Sequence, residues 1–391
     1  MSSISATIAA GCGIAVTGAA MAYALMATVA TLRRRHGWLS RRVIRQERRA
    51  SASPAASPVT VLKPLCGAEP RLHECLRSFC EQTYPCFQIV FGVRDPEDPA
   101  VAIVRQLRRE YPHHDLELII DPSEHGSSLK VSNLINMFRA ARYDTLVLAD
   151  SDVRVPSDYL ARVAAPLAES AVGIVTCAYR GVPSGGSWSL LLAAFVNDWF
   201  MPSVYVAEAL GVSDFVSGVT IALRRDALAS AGGFEAIADQ LADDFRLGQL
   251  TRAQGLTTVL SDVIVETEID ERSGRELIRH ELRWLRTIRA VRPGAYAFSF
   301  ITFALPVALL GTLLAAWADA ALAMLAVTGL ARLLLHFDAG SKRAAALELW
   351  VIPVGDTLAF TLWCWGFLSR RVHWRQARYK VARDGTVQPV T

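Results

Sequence analysis

Thr145-Leu146-Val147-Leu148-Ala149-Asp150-Ser151-Asp152 is a short strand-forming run that stops on two carboxylates two residues apart. An apolar run of this length, closed by acidic turn formers, reads as a buried strand leaving its sheet. At that point both carboxylates can approach one hard divalent cation, because Mg²⁺ takes oxygen ligands and keeps open positions for phosphates. The bland alternative is a solvated turn, since Asp and Ser favour turns. The surroundings of the run separate the two readings.

Upstream, strand-like and helix-like pieces alternate. A β-branched run at 59–62 precedes helical spacing at 71–82, where Leu72, Cys75, Leu76 and Phe79 share a face. Strands at 88–93 and 116–120 alternate with helices at 100–111 and 130–141. This order predicts an α/β domain with a mainly parallel sheet and helices on both faces. Such sheets bind ligands beyond the carboxyl ends of their strands. Lys63 ends the first strand, Asp95 follows the second in Arg94-Asp95-Pro96, and Lys130 opens the third helix. Either lysine could reach phosphate or nucleotide oxygens, or be a solvated charge. Asp95 could hydrogen-bond a base or ribose, or simply serve the turn before Pro96.

Two further stretches carry chemistry. Leu241-Ala242-Asp243-Asp244-Phe245 sets adjacent carboxylates at the start of an amphipathic helix. That is a favourable charge–dipole arrangement, or a general base for an acceptor hydroxyl. His280-Glu281-Leu282-Arg283-Trp284 lies where Arg279, Arg283 and Arg286 recur at helical intervals. A basic amphipathic helix at a membrane surface explains it. Equally, Arg283 could clamp a diphosphate, with Trp284 packing near an acceptor.

The chain has 391 residues, of which 52% are hydrophobic and 20% charged, with a mean hydropathy of +0.27. The apolar excess sits at both ends, which excludes a disordered, collagenous or small disulfide-stapled protein. A net charge of +4 is too small to argue for nucleic acid. Seven cysteines without a CxxC pair, and without histidines at zinc-ligand spacing, read as reduced thiols.

Residues 4–32 carry no charge and can span about 30 Å of hydrocarbon. A cleaved signal peptide would place cations before the run. Here Arg33, Arg34 and Arg35 follow it, with Arg41, Arg42, Arg45, Arg48 and Arg49 behind them. Positive-inside bias then puts the N-terminus outside and the rest in the cytosol. Near the other end, 295–317, 320–336 and 347–368 are apolar, and a basic aromatic tail follows. Three full crossings would leave that tail outside, against the charge bias. One segment is therefore expected to be re-entrant or interfacial, with Arg332 and Asp356 facing protein, water or head groups. The expected organisation is an anchor at 1–32, a basic segment and linker at 33–58, and a cytosolic domain at 59–293. A membrane region at 294–368 and a tail at 369–391 complete it.

Taken together, Asp95, Asp150-Ser151-Asp152, Asp243-Asp244 and Arg283-Trp284 follow the D, DxD, D, (Q/R)xxRW order of a GT-A glycosyltransferase. More narrowly, the chain resembles the ceramide glucosyltransferase family and its bacterial hopanoid-associated relatives. Lys63-Pro64-Leu65-Cys66-Gly67, Gly173 through Gly181, Ser217-Gly218-Val219-Thr220 and Gly232-Gly233-Phe234 also carry the likeness, as does the tail at Val372-His373-Trp374-Arg375. The resemblance implies a GT-A domain with N- and C-terminal transmembrane helices. It implies that Asp95 contacts the nucleotide base, Asp152 with Asp150 holds Mg²⁺ or Mn²⁺, and Asp244, beside Asp243, is the catalytic base. Lys63, Lys130, His280, Arg283 and Trp284 would serve the donor diphosphate and the acceptor end. His280 departs from the pattern, standing where many relatives have Gln or Arg. The implied activity is inverting transfer from a UDP-sugar to a membrane lipid hydroxyl by a multi-pass inner-membrane protein. N-acetylglucosamine moving to a hopanoid polyol such as bacteriohopanetetrol is the first expectation, and glucose moving to ceramide is the alternative. A processive polysaccharide synthase and a non-catalytic scaffold rank lower, because three C-terminal segments are few for a channel and the acidic set is intact.

Overall fold

A computed structural model describes residues 2–49, 57–212, 214–339, 348–369, 371–374, 377–382 and 386–389. The linker at 51–56 and the tail residues Arg370, Arg375 and Arg383 lie outside them.

Helix α1 (Ser2–Arg49) opens the chain. The elements expected upstream of Asp150 then follow in order. They are β1 (Val59–Pro64), α2 (Leu72–Cys80), β2 (Phe87–Val93), α3 (Ala100–Glu110), β3 (Asp115–Ile120), α4 (Leu129–Phe138) and β4 (Thr145–Ala149). After them come β5 (Val153–Arg154), α5 (Tyr159–Ala164), β6 (Val172–Pro183), α6 (Ser187–Ala194) and α7 (Met201–Ala209). Next are β7 (Thr220–Arg224), α8 (Arg225–Ser230), α9 (Asp243–Ala253), β8 (Thr257–Ile269) and α10 (Gly274–Val291).

The strands form one eight-stranded sheet in the order β3-β2-β1-β4-β7-β6-β8-β5. β1 to β4 are mutually parallel; β7 and β5 run antiparallel to their neighbours. Alternation sets the two faces: Val59 and Val61 pack with Leu76 and Phe79, while Leu62 turns to Val131 and Leu134. β4 repeats this, with Val147 and Ala149 on one side and Leu146 and Leu148 on the other. The chain passes from β1 to β2 in one direction, and β4 lies on the other side of β1. The order reverses there, so the connections after β1 and β4 diverge and leave a crevice at the strands' carboxyl ends.

The membrane side continues with α11 (Pro293–Phe298), α12 (Ala304–Leu314), α13 (Asp319–Ala339) and α14 (Val351–Gly366). Among the described residues, Ile4–Arg34, Ser187–Ala209 and Asp319–Asp338 are long and apolar enough to cross a bilayer. The second of these falls inside the span expected to be an ordinary cytosolic domain. It carries a π-helical turn at Phe195–Phe200 between α6 and α7. Its apolar length is legible in the sequence, but it lies between globular elements and not at an end of the chain.

Of the three apolar C-terminal segments, 295–317 is the one bent at a break. Pro293–Thr302 and Ala304–Leu314 meet at 71°. Hydroxyls of Ser299 and Thr302 bond back to the carbonyls of Tyr296 and Ser299, tightening the turn at the break. α1 crosses α12 at very close range. A Cβ on Gly13 would sit 2.4 Å from the Ala315 nitrogen, and one on Gly311 would sit 2.5 Å from Thr17 Oγ1. Small residues allow this close backbone approach, which drives helix association where no water is available to expel.

Arg332 and Asp356 face protein, as expected, and they face each other. Arg332 Nε donates to Asp356 Oδ2 at 2.8 Å, and the Asp198 carbonyl accepts from the same guanidinium. His336 Nδ1 lies 2.7 Å from Asp198 Oδ2.

The stretch expected to be a simple tail instead forms three antiparallel strands, β9 (Arg371–Trp374), β10 (Ala377–Val381) and β11 (Val387–Pro389). They lie against α10, and Thr386 bridges to Gln240. The sequence expectation is only a basic, aromatic tail; the interleaved Val, Trp and Tyr residues carry the strand propensity that prevails.

Candidate active site

The divergence after β1 and β4 places Lys63, Asp150 and Asp152 at one edge of the sheet. Lys63 is wholly buried and donates from Nζ to the Asp150 carbonyl, with Nζ 4.1 Å from the Phe79 ring centroid. Burial pulls its ammonium down to about 8. The expectation that Lys63 reaches a donor phosphate is corrected here. Its side chain holds the backbone of the acidic turn from beneath.

Lys130, at the start of α4, does face the acids. Its Nζ lies 2.6 Å from Asp150 Oδ1, 3.9 Å from Asp243 Oδ2 and 3.5 Å from the Gly218 carbonyl. Burial works to lower this ammonium, yet Asp150 and Asp243 hold it well above its ordinary value. One cation thus joins two acidic stretches almost a hundred residues apart. They line one small cavity with Leu148, Gly218 and Leu247.

Asp152 Oδ2 accepts from Thr267 Oγ1 on β8 at 2.8 Å. Burial pushes its carboxyl up to about 7, with repulsion from Asp150 and Glu69 adding to it. Glu69 Oε2 accepts from Ser151 Oγ at 2.7 Å and is itself raised by burial. Three neighbouring carboxyl groups hold negative charge that a divalent cation relieves, and their oxygens are the donors Mg²⁺ or Mn²⁺ prefers. Among the described residues no three such side chains converge as a ready-made cage. A cation at this turn would have Asp150 and Asp152 as its nearest carboxylates.

Asp244 opens α9 beside Asp243. Its Oδ2 accepts the Gly218 N–H at 2.8 Å, and its Oδ1 accepts the Phe245 N–H at 2.7 Å. Burial pushes its carboxyl up to about 6, with Asp243 adding, against those two N–H groups and Lys130. A Cβ on Gly218 would come within 3.0 Å of Asp244 Oδ2, so glycine keeps the carboxylate in place.

On α10, Arg283 feels the charges of Glu271 and Asp150, and burial lowers its guanidinium. Trp284 packs within 6.3 Å of Phe195 and 6.1 Å of Phe200, both on the π-helical turn. Phe200 lies 6.1 Å from Tyr179, whose buried phenol is raised by burial and by Asp244, Asp152 and Asp150. His280 lies 2.6 Å from Glu271 Oε1 through Nδ1. Among the described residues, Asp95 makes no side-chain contact with the acids. It is exposed beyond β2, where its Oδ1 accepts the Glu97 N–H at 2.9 Å.

Glu69, Tyr179, Gly218, Thr267 and Glu271 were not singled out as site residues from the sequence. Tyr179 and Gly218 stand within stretches that carry the resemblance, which was the available signal. Glu69, Thr267 and Glu271 reach the site only through the fold.

Residues 15–387 match the family model described as Glycosyl transferase family 21. The chain belongs to glycosyl transferase family 21. This glycosyltransferase is similar to Ceramide glucosyltransferase 1 of Caenorhabditis elegans, 26% identical over 225 residues that cover 56% of this chain and 47% of that protein. It is also similar to a ceramide glucosyltransferase of Komagataella phaffii, 35% identical over 113 residues that cover 28% and 22% respectively. The glycosyltransferase thus spans about half, or less, of the length of these relatives. A solved mannosyltransferase from Pyrobaculum calidifontis, in complex with GDP-Man and Mn²⁺, gives a TM-score of 0.49 at 22% identity, covering 88% of this chain and 96% of that one. Family and apolar helices together make this glycosyltransferase a membrane protein.

Proposed function

We propose that this glycosyltransferase moves glucose from UDP-glucose to the hydroxyl of a ceramide-type lipid, with inversion at the anomeric carbon. The observation that carries the reading is Lys130, which ties Asp150 of the first acidic turn to Asp243 beside Asp244. The names of the similar proteins support ceramide over the hopanoid polyol, and glucose over N-acetylglucosamine.

In this reading the acceptor hydroxyl approaches Asp244, which takes its proton as the oxygen attacks the anomeric carbon. The new C–O bond forms as the bond to UDP breaks on the opposite face. Two backbone N–H groups aim the Asp244 carboxylate, and burial raises its basicity toward neutral pH. Asp150 and Asp152 would hold a divalent cation, whose chemistry is to offset charge on the leaving diphosphate. Arg283 opposes the same charge from α10. Asp95, exposed at the carboxyl edge, is offered to the base or ribose. The apolar span Ser187–Ala209 and the C-terminal helices give the lipid a sideways route from the bilayer, so its apolar body stays out of water. The arginines after α1's apolar stretch support an inner-membrane protein with its catalytic side in the cytosol.

The test is incubation of the purified protein and Mn²⁺ with UDP-glucose or UDP-N-acetylglucosamine and a panel of ceramides, sterols and hopanoid polyols. Mass spectrometry of the extracted lipids is expected to show a hexosyl ceramide from UDP-glucose. Product on the polyol alone, or no product on any lipid, overturns the reading.

A further inference from the structure

The π-helical turn at Phe195–Phe200 interrupts the apolar span Ser187–Ala209. Four consecutive side chains of this turn reach four different parts of the molecule. Asn197 holds β6 twice: its Oδ1 accepts the Gly181 N–H at 2.9 Å, and its Nδ2 donates to the Gly181 carbonyl at 2.8 Å. Asp198 is 3% exposed, and its Oδ2 lies 2.7 Å from His336 Nδ1 on α13. Trp199 Nε1 donates to Thr302 Oγ1 at 3.0 Å, at the break before α12, and the indole stacks on Phe303. Phe200 turns to Tyr179 and Trp284.

The backbone of the turn is held as well. Arg332 donates to the Asp198 carbonyl while pairing with Asp356 on α14. The Ser203 hydroxyl donates to the Trp199 carbonyl at 2.7 Å and lies 2.8 Å from the Tyr23 hydroxyl of α1. A cavity lined by Tyr23, Asp198, Trp199, Pro202, Thr302 and Arg332 lies against this side of the turn. Close packing therefore does not fix the turn here, and the polar bonds decide where it sits. Single π-turns inside α-helices recur at functional sites. This one joins the bundle to the acids: Phe200 meets Tyr179, on which the charges of Asp244, Asp152 and Asp150 act.

We infer that the turn, pinned through Asp198 and His336, sets the aromatic wall of Phe195, Phe200 and Trp284 relative to the membrane helices. A lipid lying among those helices then presents its hydroxyl to Asp244. This deepens the lipid-glycosylating reading above and rests on it. Asn197, Asp198, Trp199 and His336 are positioning residues; they act through the aromatic wall and take no part in the transfer step.

The experiment uses the full chain in detergent and three variants: Asp198→Leu, Asp198→Asn, and Asp198→Leu combined with His336→Leu. Turnover is followed with UDP-glucose, Mn²⁺ and either a short-chain ceramide or a hopanoid polyol. Calorimetric lipid affinities and thermal melts run in parallel. Asp198→Leu is expected to raise KM for the glycosylated lipid by about tenfold, the size of one lost hydrogen bond to a charged group. KM for UDP-glucose should hold within about twofold. Asp198→Asn, whose amide oxygen still accepts from Nδ1, should return to within about threefold of the unaltered chain. The double variant removes both buried polar groups, so its melt should recover while its lipid KM stays raised. It carries the test where the single leucine variant does not fold. Leucine variants that lower kcat or the melting temperature but leave lipid KM within about twofold overturn the inference, as does an equal rise in KM for UDP-glucose. A chain that glycosylates the polyol and not ceramide, or that binds a lipid and transfers no sugar, overturns the functional reading alone. In the second case the lipid affinities of the variants decide the inference. A chain that binds neither lipid overturns both.

Discussion

Asp244 has both carboxylate oxygens held by backbone N–H groups, while burial and Asp243 keep its proton affinity high. Orientation and basicity thus come from different sources and can be separated by mutation. Asp244→Asn keeps size and loses basicity, so transfer should fall by about 10²–10⁴-fold. UDP affinity should stay within a few-fold, and single-turnover rates with calorimetry check both. The raised carboxyl also fixes a sign. An acid titrating at about 6 is ionised above that pH and protonated below it, and only the ionised form accepts a proton. The rate kcat/KM should therefore fall about tenfold per unit as pH drops below about 6, with a plateau above. A profile flat from acid to neutral pH removes Asp244 from the base role. Lys63 shows the opposite use of burial: its ammonium supports the carbonyl of Asp150 and is shut away from any ligand.

At the scale of elements, α1 and α12 touch backbone to backbone at Gly13 and Gly311. Neither position has room for a side chain, and the nearest neighbours there are mostly main-chain atoms that cannot swing aside. Gly311→Val should push the helices apart and cost on the order of 1–3 kcal/mol. Thermal unfolding in detergent reads that loss, and Gly294→Ala, where nothing lies within 4 Å of the added Cβ, is the control. The π-helical turn at Phe195–Phe200 works differently. It brings Phe195 and Phe200 to Trp284 on one side and sets Asp198 beside His336 and Arg332 on the other, linking the catalytic cleft to the membrane helices.

Across the whole molecule, Arg332 on α13 and Asp356 on α14 join two apolar helices by one buried ion pair. Removing one partner leaves an unpaired charge away from water, whereas removing both removes that cost. Arg332→Leu should lower stability by about 3–5 kcal/mol, and adding Asp356→Leu should recover much of the loss, as read by detergent melts of the single and double variants. The same distinction between local and long-range causes divides what the sequence shows from what it hides. Alternation of strand and helix up to Ala149, the charge-free run of α1, and the acids at the ends of elements depend on near neighbours along the chain, so they are legible in order. The roles of Lys63 and Lys130 were not separable, because burial decides them and burial is set by what packs from elsewhere. Thr267, Glu69 and Glu271 carried no local signal at all. The strand order decided that 150 would meet 243, that 152 would meet 267, and that the basic tail would lie along α10. Periodicity and turn chemistry act over a few residues, whereas hydrogen bonds and ion pairs between distant segments exist only after the chain has closed on itself.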